Sequence, residues 1–326
     1  MIKAGVIGGA GYTGGELIRI LLGHPEVEIA FVHSRSNAGK PLHTVHADLI
    51  GETDLLFADA ISQDIDVLFL CLGHGESKKF LTENTIDACI RVIDLANDFR
   101  LAENAQLGER QFVYGLPELN REVIRAAKNI ANPGCFATAI QLGLLPLAQA
   151  GLLKEAYVTG ITGSTGAGQS LSATSHFSWR TNNIQAYKTL THQHLGEIVQ
   201  SLQQLSTQPL VEAPVHFVPW RGDFARGIFA SATVDTGESL NNLYQLYRDY
   251  YQSHPFTVVT DQAVFLKQAL NTNKCVIQLE KSGNKLVVHS VIDNLIKGAS
   301  GQAVQNMNLL FGLEETTGLH LKSIGF

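Results

Sequence analysis

Three groups of residues in this 326-residue chain have the types and spacing to do chemistry. The first centres on Cys135, within Asn132-Pro133-Gly134-Cys135-Phe136-Ala137-Thr138. Asn-Pro-Gly turns the chain sharply, and the apolar run Ala139 to Leu147 reads as a helix. Cys135 therefore stands at a helix N-terminus, where unbonded N–H groups and the helix dipole favour a thiolate. The second group is Thr191-His192-Gln193-His194-Leu195-Gly196-Glu197-Ile198. On a helix His194 and Glu197 share a face, and an imidazole oriented by a carboxylate suits proton transfer near neutrality. His-x-His spacing also suits zinc, but no second ligand cluster accompanies it, so no metal is expected.

The third group is Gly8-Gly9-Ala10-Gly11-Tyr12-Thr13-Gly14, with glycines at 8, 11 and 14. It follows an apolar strand, Lys3 to Ile7, and opens a helix, Thr13 to Leu22. That context is the dinucleotide loop: glycines allow a tight turn and close approach to a pyrophosphate, which the helix N-terminus receives. The next strand, Val27 to Val32, ends at His33-Ser34-Arg35-Ser36. There is no acid here for a ribose 2′-hydroxyl, but an arginine between two serines, which suits a 2′-phosphate. The expected cofactor is NADP(H), held by Gly8, Ala10, Gly11, Tyr12, Thr13 and Gly14 at the pyrophosphate and by Ser34, Arg35 and Ser36 at the 2′-phosphate. A thiolate beside a nicotinamide suggests a thioester that is reduced by hydride to an aldehyde.

The elements that must position these groups change style along the chain. The first part alternates strands and helices. Asp66 to Leu72 is apolar enough to be buried on both faces of a parallel sheet, and Arg91 to Leu95 is a further strand. Beyond Asn132 the strands come closer together: Tyr157 to Ile161, Val215 to Trp220, Gly227 to Val234, Cys275 to Leu279 and Leu286 to Ile292. Lys281-Ser282-Gly283-Asn284 reads as a hairpin turn. Helices are expected near 136–149, 192–205, 239–252 and 297–312. The fold class is α/β, a Rossmann-type NADP-binding domain plus an α+β domain with a mixed, largely antiparallel sheet. The domains are expected at 1–132 and 133–296.

Composition excludes several function classes. Only 17% of residues are charged and 45% are hydrophobic, which rules out a disordered chain. A net charge of −6 argues against nucleic-acid binding by bulk charge. No apolar run is long enough to cross a membrane, and the N-terminus lacks a signal-peptide pattern. Cys71, Cys89, Cys135 and Cys275 are widely spaced, as expected of reduced thiols in the cytoplasm. Six of the 30 glycines lie between Gly5 and Gly15. Between Ala131 and Tyr187 only Lys154, Glu155 and Arg180 carry fixed charge, which points to burial around the nucleophile and a large subunit interface.

Eight blocks along the chain resemble the N-acetyl-gamma-glutamyl-phosphate reductases of arginine biosynthesis: GGAGYTGGEL (8–17), HSRSNAGKPL (33–42), DLANDFRL (94–101), YGLPEL (114–119), NPGCFAT (132–138), TGSTGAG (162–168), HQHLGEI (192–198) and DNLIKGASGQAVQNMNLLFG (293–312). The resemblance implies a fold like that of aspartate-semialdehyde and glyceraldehyde-phosphate dehydrogenases. It implies NADPH-dependent reduction of an N-acyl-glutamyl 5-phosphate to the 5-semialdehyde, in a homodimer or homotetramer. It makes Cys135 the nucleophile and puts His192, His194 and Glu197 in the acid/base and substrate segment, with His194 favoured as proton donor. Arg100 and Ser164 fall near the substrate, and Thr165, Gly166 and Ala167 in the loop flanking nicotinamide and phosphate. Asn294, Lys297 and Gly298 fall in a segment that covers the cofactor. The final stretch, 297–326, is expected to rejoin the first domain.

Departures from the family pattern bear on the substrate's tail. Many members read His-Arg-His-x-Pro-Glu, whereas this chain has Gln193 and Gly196; Gly73 stands where proline is common. The acyl group, acetyl or succinyl, stays open. Aspartate-semialdehyde dehydrogenase is a rival, though its segment usually reads Asn-Cys rather than Gly134-Cys135. An aminoadipyl-phosphate reductase is a second rival, and a non-catalytic NADP sensor is the alternative from another class.

Overall fold

The computed structural model describes residues 1–206, 210 and 214–325. They form two compact units. One comprises Met1–Gly134 and Ala299–His320; the other comprises Cys135–Gly298 and the residues from Leu321 onward.

The first unit begins with β1 (Ile2–Ile7), α1 (Tyr12–Leu22) and β2 (Val27–His33). It continues with β3 (Phe57–Ala58), β4 (Val67–Leu70), α2 (Glu76–Glu83) and β5 (Arg91–Asp94). The hairpin β6 (Gln106–Leu107) and β7 (Arg110–Tyr114), then α3 (Pro117–Ala126) and β8 (Asn129–Ala131), complete the sheet. The strand order is β3-β2-β1-β4-β5-β8-β7-β6, parallel throughout except for the β6–β7 pair. The order reverses at β1, and in such sheets ligands bind beyond the carboxyl ends of the strands at that point. The glycine loop lies there. Leu68, Leu70, Val92 and Ile7 fill the core, with Phe99 stacked on Phe112 at 4.0 Å between ring centroids.

The second unit opens with α4 (Cys135–Gln149) and β9 (Ala156–Thr162). The short α5 (Phe177–Arg180), β10 (Gln185–Ala186) and α6 (Leu195–Leu205) follow. Then come β11 (Val215–Arg221), β12 (Ile228–Asp235), α7 (Leu240–Tyr251), β13 (Thr257–Thr260), β14 (Cys275–Ser282) and β15 (Lys285–Ile292). The sheet order is β10-β11-β9-β12-β15-β14-β13. It is mixed, as the sequence suggested: β9–β11 and β13–β14 are parallel and the other pairs antiparallel. The β14–β15 turn falls on Gly283, whose φ of +55° only glycine adopts readily. Burial alternates along β12, so one sheet face packs under α4.

Helix α4 carries Pro146 in its interior, which removes the N–H that would bond the Leu142 carbonyl. Helix α7 supplies a substitute there and a second bond beside it. The buried Tyr251 hydroxyl donates to the Leu142 carbonyl and the buried Tyr247 hydroxyl to the Gly143 carbonyl. The nucleophile's helix thus keeps its carbonyls satisfied despite the proline.

Two sequence expectations need correction. The helix expected over 192–205 starts at Leu195, so His192 and Gln193 precede it and His194 is its N-cap. The helix expected over 297–312 is a π-helical turn, Ile296–Ser300, followed by α8 (Gly301–Leu310). In α8 the amide side chains are buried, and two asparagines tie the helix to distant carbonyls. Asn306 Nδ2 donates to the Gly115 carbonyl at 2.8 Å and to Asn132 Oδ1 at 3.1 Å. Asn308 Nδ2 reaches the carbonyls of Glu315 and Thr317.

Candidate active site

In the first unit the loop after β1 has little room for side chains. Gly8 has φ of +76°, and a Cβ there would come within 2.4 Å of the Cys71 carbonyl oxygen. At Gly14 a Cβ would meet the Gly8 oxygen at 2.8 Å, whereas at Gly11 it would meet only that oxygen, at 3.8 Å. The loop therefore packs tightly on the strand side and is open at Gly11, the N-cap of α1. No side chain caps the helix and its first turn holds no acid. An open, acid-free helix N-terminus fits a pyrophosphate. Ala10, Tyr12 and Thr13 line the same turn. At the end of β2, Ser34 is buried while Arg35 and Ser36 are exposed, and Asn37 Nδ2 donates to both serine hydroxyls at 3.3 Å. Arg35 borders a cleft of about 440 Å³ with His33, Asp59, Gln63 and Thr85.

Arg100 is buried, with Nε on the Asn132 carbonyl at 2.9 Å and Nη2 on the Leu95 carbonyl at 2.9 Å. Asn132 is further held by its N–H on the Asp94 carbonyl and its Nδ2 on the Ala299 carbonyl. Three distant segments thus fix the residue that leads into Pro133-Gly134-Cys135. Asp94, which the sequence reading passed over, is fully buried. Burial pushes its carboxyl up to about 6, against Ser77, the Ala96 N–H and Arg100.

In the second unit Cys135 is the first residue of α4 and half-buried. At a helix N-terminus the dipole and unbonded N–H groups favour a thiolate. Cys71 is a contrast: burial and Asp94 push its thiol up to about 12, which leaves it inert. Gly298 lies directly against Cys135. A Cβ at Gly298 would sit 2.7 Å from the Cys135 Cβ. The Gly298 N–H is bonded to the Asp293 carbonyl, and the buried Asp293 side chain holds Arg226 and the N–H groups of Asn271, Leu295 and Ile296. Replacing Gly298 with Ala is therefore expected to displace the thiol and lower kcat/KM by about tenfold to hundredfold. Steady-state kinetics check this, and unchanged kcat/KM in a folded variant would refute it.

Phe136 carries the surroundings of the thiol to the histidines. Its ring meets His192 edge-on at 5.7 Å and Phe217 at 4.9 Å. His192 also lies 5.8 Å from Tyr187 and 4.6 Å from His194 between ring centroids. Burial first, then the cations Lys188 and Arg221, push His192 down to about 4. Its Nδ1 accepts the His194 N–H at 3.3 Å, so the neutral ring carries its proton on Nε2. His192 can donate a hydrogen bond at neutral pH but is not poised to exchange a proton. His194 Nε2 lies 3.9 Å from Glu197 Oε1, and both side chains are buried.

Tyr187 and Arg221 are site neighbours that the sequence reading missed. Burial and the Cys135 charge push Tyr187 up to about 12, so it stays protonated. The Arg221 guanidinium stacks over its ring at 4.6 Å. No spacing pattern announces either residue; only the pairing of β10 with β11 brings them together. The loop Ser164–Ala167 is held by Thr165, whose N–H and hydroxyl both bond the Ala225 carbonyl. Asn294 Nδ2 donates to Thr165 Oγ1 at 3.1 Å, and Asn294 Oδ1 accepts the Gly227 N–H. Ser164 and Gly166 flank Thr165 on this loop. Lys297 departs from its expected role. It is wholly buried with its ammonium 5.9 Å over the Phe256 ring, so it does not reach out to a cofactor. Among the described residues no cluster of His, Cys, Asp and Glu could hold a metal ion.

Residues 3–127 match the family model "Semialdehyde dehydrogenase, NAD binding domain", and residues 135–294 match "Semialdehyde dehydrogenase, dimerisation domain". A protein of Christiangramia forsetii named N-acetyl-gamma-glutamyl-phosphate reductase is 56% identical over 324 residues, 99% of each chain. One of the same name from Phocaeicola vulgatus is 56% identical over 328 residues, the whole of both. The chain belongs to the N-acetyl-gamma-glutamyl-phosphate reductases, within the semialdehyde dehydrogenase family. The fold of these reductases extends to more distant enzymes. Aspartate semialdehyde dehydrogenase II from Vibrio cholerae superposes with a TM-score of 0.72 at 18% identity, over 96% of this chain and 99% of that one. The Candida albicans aspartate semialdehyde dehydrogenase, solved with NADP, gives 0.69 at 18%, over 95% and 98%. Like other reductases of this family, the chain is an oxidoreductase with a nicotinamide-dinucleotide domain.

Proposed function

We propose that this protein reduces an N-acyl-γ-glutamyl phosphate to the 5-semialdehyde with NADPH, releasing phosphate, as a step of arginine biosynthesis. The observation that carries the reading is Cys135 at the N-terminus of α4, in a chain 56% identical over its full length to reductases of that name. The Cys135 sulfur attacks the acyl carbon, the C–O bond to phosphate breaks, and a thioester remains on the enzyme. NADPH, when bound, supplies the hydride that reduces it. His194, oriented by Glu197, donates a proton to the developing oxyanion and takes it back as the C–S bond breaks and the aldehyde leaves. Tyr187 and His192 each keep a proton at neutral pH and offer hydrogen bonds to the same pocket. Arg100 and Ser164 are the proposed substrate contacts, and Thr165, Gly166 and Asn294 those on the nicotinamide side. The test is a coupled reaction in reverse. Purified protein with NADP+, phosphate and N-acetyl-glutamate semialdehyde should form NADPH, and aspartate semialdehyde should not replace it. No NADPH formation would overturn the reading.

The cofactor preference rests on the glycine loop and Arg35. Replacing Arg35 with Ala should raise the KM for NADPH by about tenfold and leave that for NADH nearly unchanged. Equal changes would show that Arg35 does not bind the 2′-phosphate.

The second unit supports a homodimer. The sheet face away from α4 exposes Tyr157, at 57%, and half-exposes Ile161, Val218, Trp220 and Phe229. An apolar sheet face of this size calls for a second copy, as the dimerisation-domain match also suggests. No helix among the described residues is long and apolar enough to cross a membrane, and all four cysteines are thiols, which supports the cytoplasm.

A further inference from the structure

Two cations beside the thiol pocket, one buried and one half-buried, have no part in the chemistry above. Arg180, the last residue of α5, is only 8% exposed. Its Nη2 donates to the carbonyls of Asn183 at 3.0 Å and Arg221 at 3.1 Å. Its Nε and Nη1 are buried and find no hydrogen-bond partner among the described residues. Arg221, the last residue of β11, stacks on Tyr187, and its Nε is likewise buried without a partner among the described residues. Neither guanidinium forms an ion pair there. Asp223 is the acid whose charge reaches Arg180, but its Oδ2 already accepts the Asn182 N–H. Lys188 adds a third cation, bonded through Nζ to Gln193 Oε1 at 2.6 Å.

Burying guanidinium N–H groups without acceptors is costly, and holding two such cations together adds repulsion. An anion that bridges them relieves both. The arrangement also touches the reaction pocket, because the Arg221 charge acts on both His192 and Tyr187, and Tyr187 in turn feels Cys135. We propose that Arg180 and Arg221 clamp a carboxylate at the non-reacting end of the substrate and so fix the acyl carbon at Cys135. This rests on the acyl-glutamyl reading. The planar fork of a guanidinium matches a carboxylate, and several unengaged N–H groups on two residues can take more than one oxygen. The leaving phosphate is a poorer occupant, since a clamp this strong would retain it. The carboxylate has two sources: the α-carboxylate of the glutamyl group, or a second one on the acyl substituent.

The experiment is protection of Cys135 from iodoacetamide, read by mass spectrometry on the Cys135 peptide so that Cys89 does not interfere. The probes are N-acetyl-glutamate, N-succinyl-glutamate, the α-amide of N-acetyl-glutamate, and inorganic phosphate. Both acylglutamates should protect the wild-type thiol. In Arg221→Leu and Arg180→Met the half-protecting concentration should rise about tenfold or more, each variant being read against its own labelling without probe. Arg221→Lys should recover part of the loss and keeps the test open if the leucine variant does not fold. Loss of protection by the α-amide assigns the glutamyl carboxylate. Retained protection by the α-amide, with succinyl binding tighter than acetyl, assigns the acyl carboxylate. Unchanged carboxylate protection in both variants, or loss of phosphate protection alone, overturns the clamp. Protection does not need turnover, so failure of the acyl-glutamyl reading would appear separately, as a wild-type enzyme that oxidises no acylglutamate semialdehyde.

Discussion

Substituting Ser for Cys135 is expected to lower phosphate-dependent NADP+ reduction by a factor on the order of 10⁴ or more, with the fold intact. The thiol is the only group at the start of α4 that can serve as both nucleophile and leaving group. A helix N-terminus stabilises negative charge by about 0.3–2 kcal/mol, enough to help a thiol ionise but far too little for an alcohol. A serine ester, if formed, would also accept hydride poorly and expel its alkoxide slowly. Circular dichroism and NADPH binding should match the wild type, which separates lost chemistry from lost structure. Activity above about one per cent of wild type would rule out a thioester on Cys135.

His194→Asn should cost about 10²- to 10⁴-fold in kcat, the range for a positioned general acid/base. Its partner Glu197 is buried 3.9 Å away and orients the ring. His192→Asn should cost much less, because His192 takes up a proton only near pH 4, held off by burial, Lys188 and Arg221. From pH 5 to 8 that ring is neutral in both directions of the reaction. The shape of the kcat/KM profile in that window should therefore be unchanged in His192→Asn. A wild-type kcat in His194→Asn would reassign the proton transfer. The same depression has a stability consequence with a definite sign. The unfolded ring binds a proton below about 6.5 and the folded ring only near 4, so stability conferred by the neutral ring is full above about 6.5 and falls as pH drops toward 4.

Short-range chemistry made part of this site legible in the amino-acid order. A thiol after Asn-Pro-Gly and before an apolar run has few local structures open to it, and α4 begins at that thiol. The glycine loop was equally readable, since each glycine faces a contact that a Cβ would spoil or a surface that it would block. The histidine segment was harder. Its helical spacing holds from His194 onward, but Gly196 leaves the first turn weak and His192 precedes the helix. Strand β8 is three residues long, too short for any period, although it leads straight to Asn132. Tyr187 and Arg221 come from opposite sides of an antiparallel pair more than thirty residues apart, and single-chain periodicity cannot see such a pairing. Lys297 misled for a related reason. It stands in the stretch expected to cover the cofactor, whereas packing turns it inward over Phe256.

The two tyrosine hydroxyls bonded to carbonyls just before Pro146 change how the nucleophile's helix can open. A helix interrupted by proline would ordinarily fray from the break, letting deuterium into its last turns on a fast timescale. Here fraying would also require Tyr247 and Tyr251 to withdraw from the core, which ties the opening of α4 to that of α7. The hydrogen-bonded amides of α4 beyond its first turn should thus exchange with solvent mainly in the rare events that unfold the surrounding unit.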